Sequence, residues 1–412
     1  MINIFRPGQS IIDLTGTIDF HIRLSQGIKW LLRDDFTDTR PAGSVDGTPA
    51  VPGPGTRSVV DTNSKISVAN GNLKFDSGAA SNSGLWLDLV SRSVGRLLVS
   101  KITINSIEYQ PNIGWHTRAS GIVANSLRFQ GGSLLAVIDA TYAQNVLSVT
   151  SGKEYNVCLI QRIAGYYYFL RDSNWLLLCM SSLGSGNCYP VVQTRKSNDE
   201  FVVDYMRIPD ELWLPTPLAY DTFTRSDGAL GSTETSGPDA QVTPSLSWSN
   251  RAGTSQISSN SIITTATDGA KAIATVPAGA DVLASIALTR GSGTPGIVFR
   301  YKDALNYGYA IHNGTNAQLH KVVNGTDTTL VNAAAAYGAG RVFQVVCYGD
   351  KWRMFYNNVM IGTEQTVNDG DLQSGTGVGW YTTDTDSKGD NFTVFARGTG
   401  GEYDAALNRY IA

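Results

Sequence analysis

The sequence is short of charge, cysteine, histidine and long apolar runs. Charged residues make up 16% of the 412 and the net charge is -3, against roughly 25% charged residues in ordinary globular proteins. Bulk electrostatics therefore draws the chain neither to nucleic acid nor to an anionic membrane. The four cysteines include no CxxC pair, which argues against zinc. Cys158 and Cys347 lie inside apolar strands, where cysteine behaves as a small buried hydrophobe. The spacing of Cys179 and Cys188 permits a local disulfide without demanding one. The four histidines, His21, His116, His312 and His320, form no HExxH or paired arrangement, and there is no G-x-S-x-G elbow or phosphate loop, so a hydrolase is disfavoured. No stretch approaches the ~20 apolar residues of a membrane span. The start, MINIFRPGQSIIDLTG, lacks the basic-then-apolar order of a secretory signal, and export by its own signal is not expected.

Glycine is abundant, at 43 residues, and serine, threonine and asparagine accompany it. Turn signals recur every ~8–12 residues between short alternating runs, as in sandwiches and jelly rolls. Asn70-Gly71 in SKISVANGNLKF and Asn324-Gly325 in AQLHKVVNGTDTTLV each sit between two such runs and predict hairpins. EYNVCLIQRIAGYYYFLRDSNWLLL reads as three strands joined at Ala164-Gly165 and at Asp172–Asn174.

The chain also repeats itself. DDFTD around Asp34 returns as DTFTRSDG around Asp221, GKEYNVCLIQ at Gly152 as GRVFQVVCYG at Gly340, and DEFVVDYMRI at Asp199 as DNFTVFARG at Asp390, with offsets of 187, 188 and 191 residues. A period this long means two complete domains rather than a solenoid, whose repeats run to ~20–50 residues. The expected plan is an N-terminal extended arm at 1–31, a first jelly roll at 32–213, a second at 214–399 and a short helical tail at 400–412. Three prolines in PDELWLPTPLA mark a short, stiff linker. A copy of this length is too long for an immunoglobulin-type sandwich of ~100 residues, so the fold class is all-β, two tandem two-sheet jelly-roll sandwiches.

The motifs DTFTRSDGALG, GIVFRYKDALNYGY, KWRMFYN and DNFTV resemble the concanavalin A-like lectin/glucanase superfamily, in its laminin-G-like form found in bacteriophage virion proteins and bacterial surface proteins. The first copy departs from the pattern, with IGWHTRASGIVANSLRFQGG in place of VFRY. Enzymes of that superfamily resemble one another in an E-x-D-x-E strand whose acids share one groove. Here the nearest approach is Glu200 and Asp204, on a closing strand, so no catalytic residue is assigned. The acids Asp384, Asp386 and Asp390 match a calcium loop in composition but lack its Glu-terminated spacing, so no cofactor is expected. Sugar rings stack on exposed aromatics. Trp115, Tyr166, Tyr167, Trp380 and Tyr381 lie beside turns and are the candidate glycan-stacking residues, whereas Trp86, Trp352 and Phe392 are assigned to the core. The resemblance implies a non-enzymatic virion structural protein, in capsid, tail or fibre, with other virion proteins and further copies of itself as partners. Its alternative is a carbohydrate-binding adhesin or receptor-binding protein on host-surface glycans, and a glycoside hydrolase ranks below both.

Overall fold

The computed structural model describes residues 30–396, apart from 77, 106–109, 117–124, 131–132, 139–141, 164, 173, 181–187, 195–199, 211, 213, 215 and 276–279. The expected arm, except for its last two residues, and the expected helical tail lie outside the described residues. The chain divides into two compact units between Leu214 and Pro215, and each is a jelly-roll β-sandwich.

In the first unit one sheet runs, edge to edge, Asn174–Met180, Gly165–Asp172, Glu154–Arg162, Leu97–Ile104, Phe201–Pro209, Asn72–Phe75 and Ile66–Ala69, with Trp30–Asp34 also on Phe201–Pro209. The other runs Tyr142–Ser148, Ser133–Ile138, Asn125–Gln130, Asn112–His116, Tyr189–Gln193, Gly84–Trp86 and Ser58–Val60.

The second unit repeats this order. Its back layer runs Val359–Met360, Lys351–Tyr356, Arg341–Tyr348, Val282–Thr289, Lys388–Ala396 and Ile262–Thr275, with Ala219–Asp221 on Lys388–Ala396. Its front layer runs Thr326–Ala334, Asn316–Val323, Asn306–His312, Gly296–Asp303, Gly377–Thr382 and again Ile262–Thr275. That last strand passes from one layer to the other. Ile262 pairs with Gly389 of the back layer, and Ala270–Thr275 pair with Thr382–Gly377 of the front. In the first unit the same passage is made by two separate strands, Asn72–Phe75 and Gly84–Trp86.

The closing strands Phe201–Pro209 and Lys388–Ala396 are both nine residues long and occupy equivalent places. Phe201 therefore aligns near Lys388, and matching it to Phe392 by sequence sets the copies out of register.

Local chemistry explains the strand ends. Both predicted hairpins form, with Asn70 and Gly71 at φ 55° and 75°, and Asn324 and Gly325 at 49° and 78°. Positive φ at both central residues is the turn whose twist matches the flanking strands, and asparagine and glycine tolerate it best. At the start of each unit an aspartate caps its own turn. Asp34 Oδ1 accepts from Phe36 N at 3.0 Å, and Asp221 Oδ1 from Phe223 N at 2.8 Å. Both phenylalanines stand at positive φ, 51° and 55°, which a bulky residue adopts only when its surroundings compel it. Both are fully buried, as are both aspartates. A capped turn is thus the role the fold gives both Asp34 and Asp221.

The layers pack through aromatic pairs. Phe129 and Tyr155 lie 5.6 Å apart between ring centroids in the first unit, and Phe299 meets Trp352 edge-on at 4.9 Å in the second. Trp86, Trp352 and Phe392 are buried as expected. The strand Lys351–Tyr356 is buried on both sides, since Phe355 and Arg353 are buried along with Trp352, Met354 and Tyr356. Arg353 reaches Glu364 there, its Nε at 2.7 Å. All four cysteines are buried thiols outside any disulfide, Cys179 and Cys188 included. The helix among the described residues is Gly370–Ser374, a turn not anticipated from the sequence. Asp369 caps it by accepting from the backbone of Asp371 and Leu372. Among the described residues, no helix is long and apolar enough to cross a membrane.

Candidate functional site

The structure removes four of the five stacking candidates. Trp115, Tyr166, Tyr167 and Trp380 are each 0% exposed, so no sugar ring can lie on them. The physical reason is strand alternation, which sends neighbouring side chains to opposite faces. Trp380 points between the layers, where its Nε1 donates to Thr264 Oγ1 at 3.3 Å, and its neighbour Tyr381 points out. Tyr166 and Tyr167 belong to a strand with two neighbours, Glu154–Arg162 and Asn174–Met180, and burial claims both of its faces. Only Tyr381 of the five remains at a surface.

Tyr381 belongs to a face that sequence reasoning missed. On the outer side of the second unit's front layer, Ile273, Val298, Ile311 and Val322 form an apolar floor together with Tyr309. Tyr301, Tyr307 and Tyr381 lie against it partly exposed. Tyr309 stacks on Tyr381 with centroids 4.8 Å apart and planes at 23°, and on the His320 ring at 4.5 Å and 13°. Tyr307 lies 5.9 Å from both Tyr301 and Tyr309. At one end the Lys271 ammonium sits 4.8 Å from the centre of the Tyr307 ring and 5.6 Å from that of Tyr381. At the other, Asp327 accepts from Tyr309 Oη at 2.7 Å and faces His320 Nδ1 at 3.2 Å.

The sequence carried a signal for this face in Asn306–His312, NYGYAIH. Gly308 faces the core, where a Cβ would stand 2.7 Å from the Phe299 ring and 2.9 Å from Trp352. Tyr307 and Tyr309, on either side of it, must therefore face outward.

Burial governs the titration of the face. It raises the Tyr309 phenol, and the hydrogen bond to Asp327 adds to that. It pushes Tyr381 up to about 12. It lowers His320, against the opposing pull of Asp327. At neutral pH the phenols are therefore protonated donors, and the imidazole is neutral.

The first unit presents a different face at the equivalent positions. Trp380 lies between Ala272 and Ile297 as Val192 lies between Leu85 and Ile113. Gln193 then stands where Tyr381 is, Gly84 where Lys271 is, and Ser126 where Tyr309 is. Nearby, Arg128 Nε donates to Asn112 Oδ1 at 3.0 Å. Trp86 and Val191 form a small buried cluster with Tyr189 against it.

The acids weighed in the sequence lie elsewhere. Asp204 pairs with Lys101 at 2.5 Å, and Glu200 is exposed just before the strand Phe201–Pro209 begins. Asp199 lies outside the described residues. Asp384 accepts from Gly293 N, Thr382 Oγ1 and Ser387 Oγ at 2.5, 2.6 and 2.8 Å, which fixes a loop and occupies the carboxylate. Among the described residues, no group of three or more His, Cys, Asp or Glu side chains could hold a metal ion.

No protein-family model and no curated protein matches the chain. Solved structures do. The carbohydrate-binding module CBM66 from Bacillus subtilis is similar at 15% identity and a TM-score of 0.31, over 36% of this chain and 95% of its own. A β-1,3-glucanase from Mycobacterium marinum is similar at 10% identity and 0.32, over 44% and 100%. Rv0315, an immunostimulatory antigen and pseudo-β-1,3-glucanase of Mycobacterium tuberculosis, is similar at 13% identity and 0.33, over 44% and 99%.

Proposed function

We propose that the second unit is a carbohydrate-binding module without hydrolytic chemistry, and that the protein uses it for adhesion. The observation that carries this reading is the row of tyrosines on the front layer, half-exposed over an apolar floor and flanked by Lys271 and Asp327. Sugars present apolar C–H faces to aromatic rings and hydroxyls to polar groups at the edge, and this face offers both. The Asp327 carboxylate is spent on Tyr309 and His320 rather than set for proton transfer, which supports binding over hydrolysis. The first unit, whose equivalent positions carry Gln193, Ser126 and Gly84, serves in this reading as scaffold.

We extend the proposal to setting and partners on the sequence resemblance. The chain is a structural or decorating component of a bacteriophage particle, held by other virion proteins and by further copies of itself, and its glycan partner is on the host surface. Immunogold labelling of purified particles checks the setting.

A printed glycan array tests the binding. Retention at neutral pH is expected for the intact protein. Replacing Tyr381 with alanine is expected to lower affinity about tenfold, or ~1.4 kcal/mol, the scale of one aromatic contact. Unchanged binding in both Tyr381→Ala and Tyr307→Ala would remove this face as the site.

A further inference from the structure

Tyr309 is 7% exposed and supports the partly exposed Tyr381 ring stacked on it, and one cluster holds it in place. The ring lies across the His320 imidazole at 4.5 Å and 13°, and its hydroxyl donates to Asp327 Oδ2 at 2.7 Å. The other oxygen of Asp327 faces His320 Nδ1 at 3.2 Å. A carboxylate only accepts, so Nδ1 carries the proton of the neutral ring and Nε2 is the bare nitrogen. His320 is 7% exposed, and its Nε2 is buried with no hydrogen-bond partner among the described residues.

The groups facing this cluster come from every neighbouring strand. Asn306–His312 supplies Tyr307 and Tyr309, and Thr326–Ala334 supplies Asp327 and Thr329, whose Oγ1 is 3.4 Å from His320 Nδ1. Gly377–Thr382 brings Tyr381 against Tyr309, and Lys271 stands beyond Tyr381.

We propose that His320 and Asp327 are positioning residues for Tyr309, and that mild acid frees this ring and, through Tyr381 stacked on it, any bound sugar. The sugar half rests on the stacking role proposed above. Protonation adds a hydrogen at Nε2, where the nitrogen is buried and no acceptor among the described residues faces it. The ring can then be solvated only by leaving its place beneath Tyr309. Burial outweighs the attraction of Asp327, so the charged form is disfavoured in the folded state. The neutral arrangement is complete above the ordinary histidine value of 6.5 and is lost as pH falls below it.

The test follows His320 and Tyr309 ring resonances by NMR from about pH 7.5 to about pH 5. The Tyr309 ring signals are expected to shift with the midpoint of His320, which needs no variant. In His320→Gln the Tyr309 signals are expected to stay constant over that range. In Asp327→Asn they are expected to lie at the acid position throughout. On the glycan array, wild-type retention is expected to fall about tenfold between the two pH values, and His320→Gln is expected to bind without that step. Tyr309 signals that ignore the His320 titration, or that move alike in His320→Gln, overturn the positioning role. An array that retains nothing at neutral pH overturns the glycan reading, and the NMR titration still decides whether His320 holds Tyr309.

Discussion

Asp34 and Asp221 sit at matching turns, yet their guanidinium partners come from different places in the chain. Asp34 is gripped by Arg57, whose Nε and second nitrogen lie 2.6 and 2.7 Å from its two oxygens, and both side chains are 0% exposed. Asp221 is gripped by Arg225, four residues on and 28% exposed, and it also accepts from Trp248 Nε1 at 2.7 Å. Removing one partner of a buried pair strands a charge, at a cost of about 3–5 kcal/mol. Arg225 is part-exposed, so water can take its place beside Asp221, which also keeps Trp248, and losing hydrogen bonds to a charge in that way costs about 1.5–3 kcal/mol. Arg57→Ala is therefore expected to destabilise its unit more than Arg225→Ala destabilises the other, as read by chemical denaturation. Equal losses would show that the buried fork does not dominate. The repeated D-x-F-T stretch was legible as a duplicated start. The two partners were not, because Arg57 lies 23 residues from Asp34 and only the folded chain brings them together.

The strand Asn306–His312 shows what a single element adds. Its alternation is readable in the sequence, and so is the hairpin that follows it at Asn324-Gly325. Which face is the core is not readable from tyrosines alone, since a tyrosine suits either side. The packing of Gly308 against Phe299 and Trp352 decides it. The same ambiguity holds for Trp380 and Tyr381, adjacent residues on one strand that a nearby turn makes look equally exposed. Alternation allows one at most, and the larger indole filled the core. Gly308→Ala is expected to cost about 1–3 kcal/mol, because its methyl would stand under 3 Å from two rings in a filled layer. It is also expected to weaken glycan retention by tilting Tyr307 and Tyr309. A thermal shift near zero would mean that the layers part easily at this point.

At the scale of the whole molecule the duplication is a matter of strand order more than of chemistry. The two units repeat an arrangement of layers, while their outer faces have diverged to Gln193 and Ser126 in one and Tyr381 and Tyr309 in the other. Their titrating groups have diverged as well, and this separates the units in a single measurement. In the second unit His312 is held neutral by burial, with Nδ1 accepting from Gly314 N at 3.0 Å and Nε2 against Ala335 O at 3.1 Å. His320 is lowered for the same first cause. A histidine lowered in the folded state contributes stability that is complete above 6.5 and is lost as pH falls toward its folded value, because the unfolded chain binds the proton first. In the first unit, hydrogen bonds from Arg57 hold Asp38 down to about 2, and its contribution is present above 3.8 and is lost only as pH falls toward 2. Calorimetry is therefore expected to resolve two transitions. Between about pH 7.5 and about pH 5.5 the one that belongs to the second unit is expected to move to lower temperature while the other holds. His312→Gln and His320→Gln, each removing one titrating ring, identify which transition is which by flattening its pH dependence. A single transition that moves as one body over that window would show that the units unfold together and that the duplicated halves have become one cooperative structure.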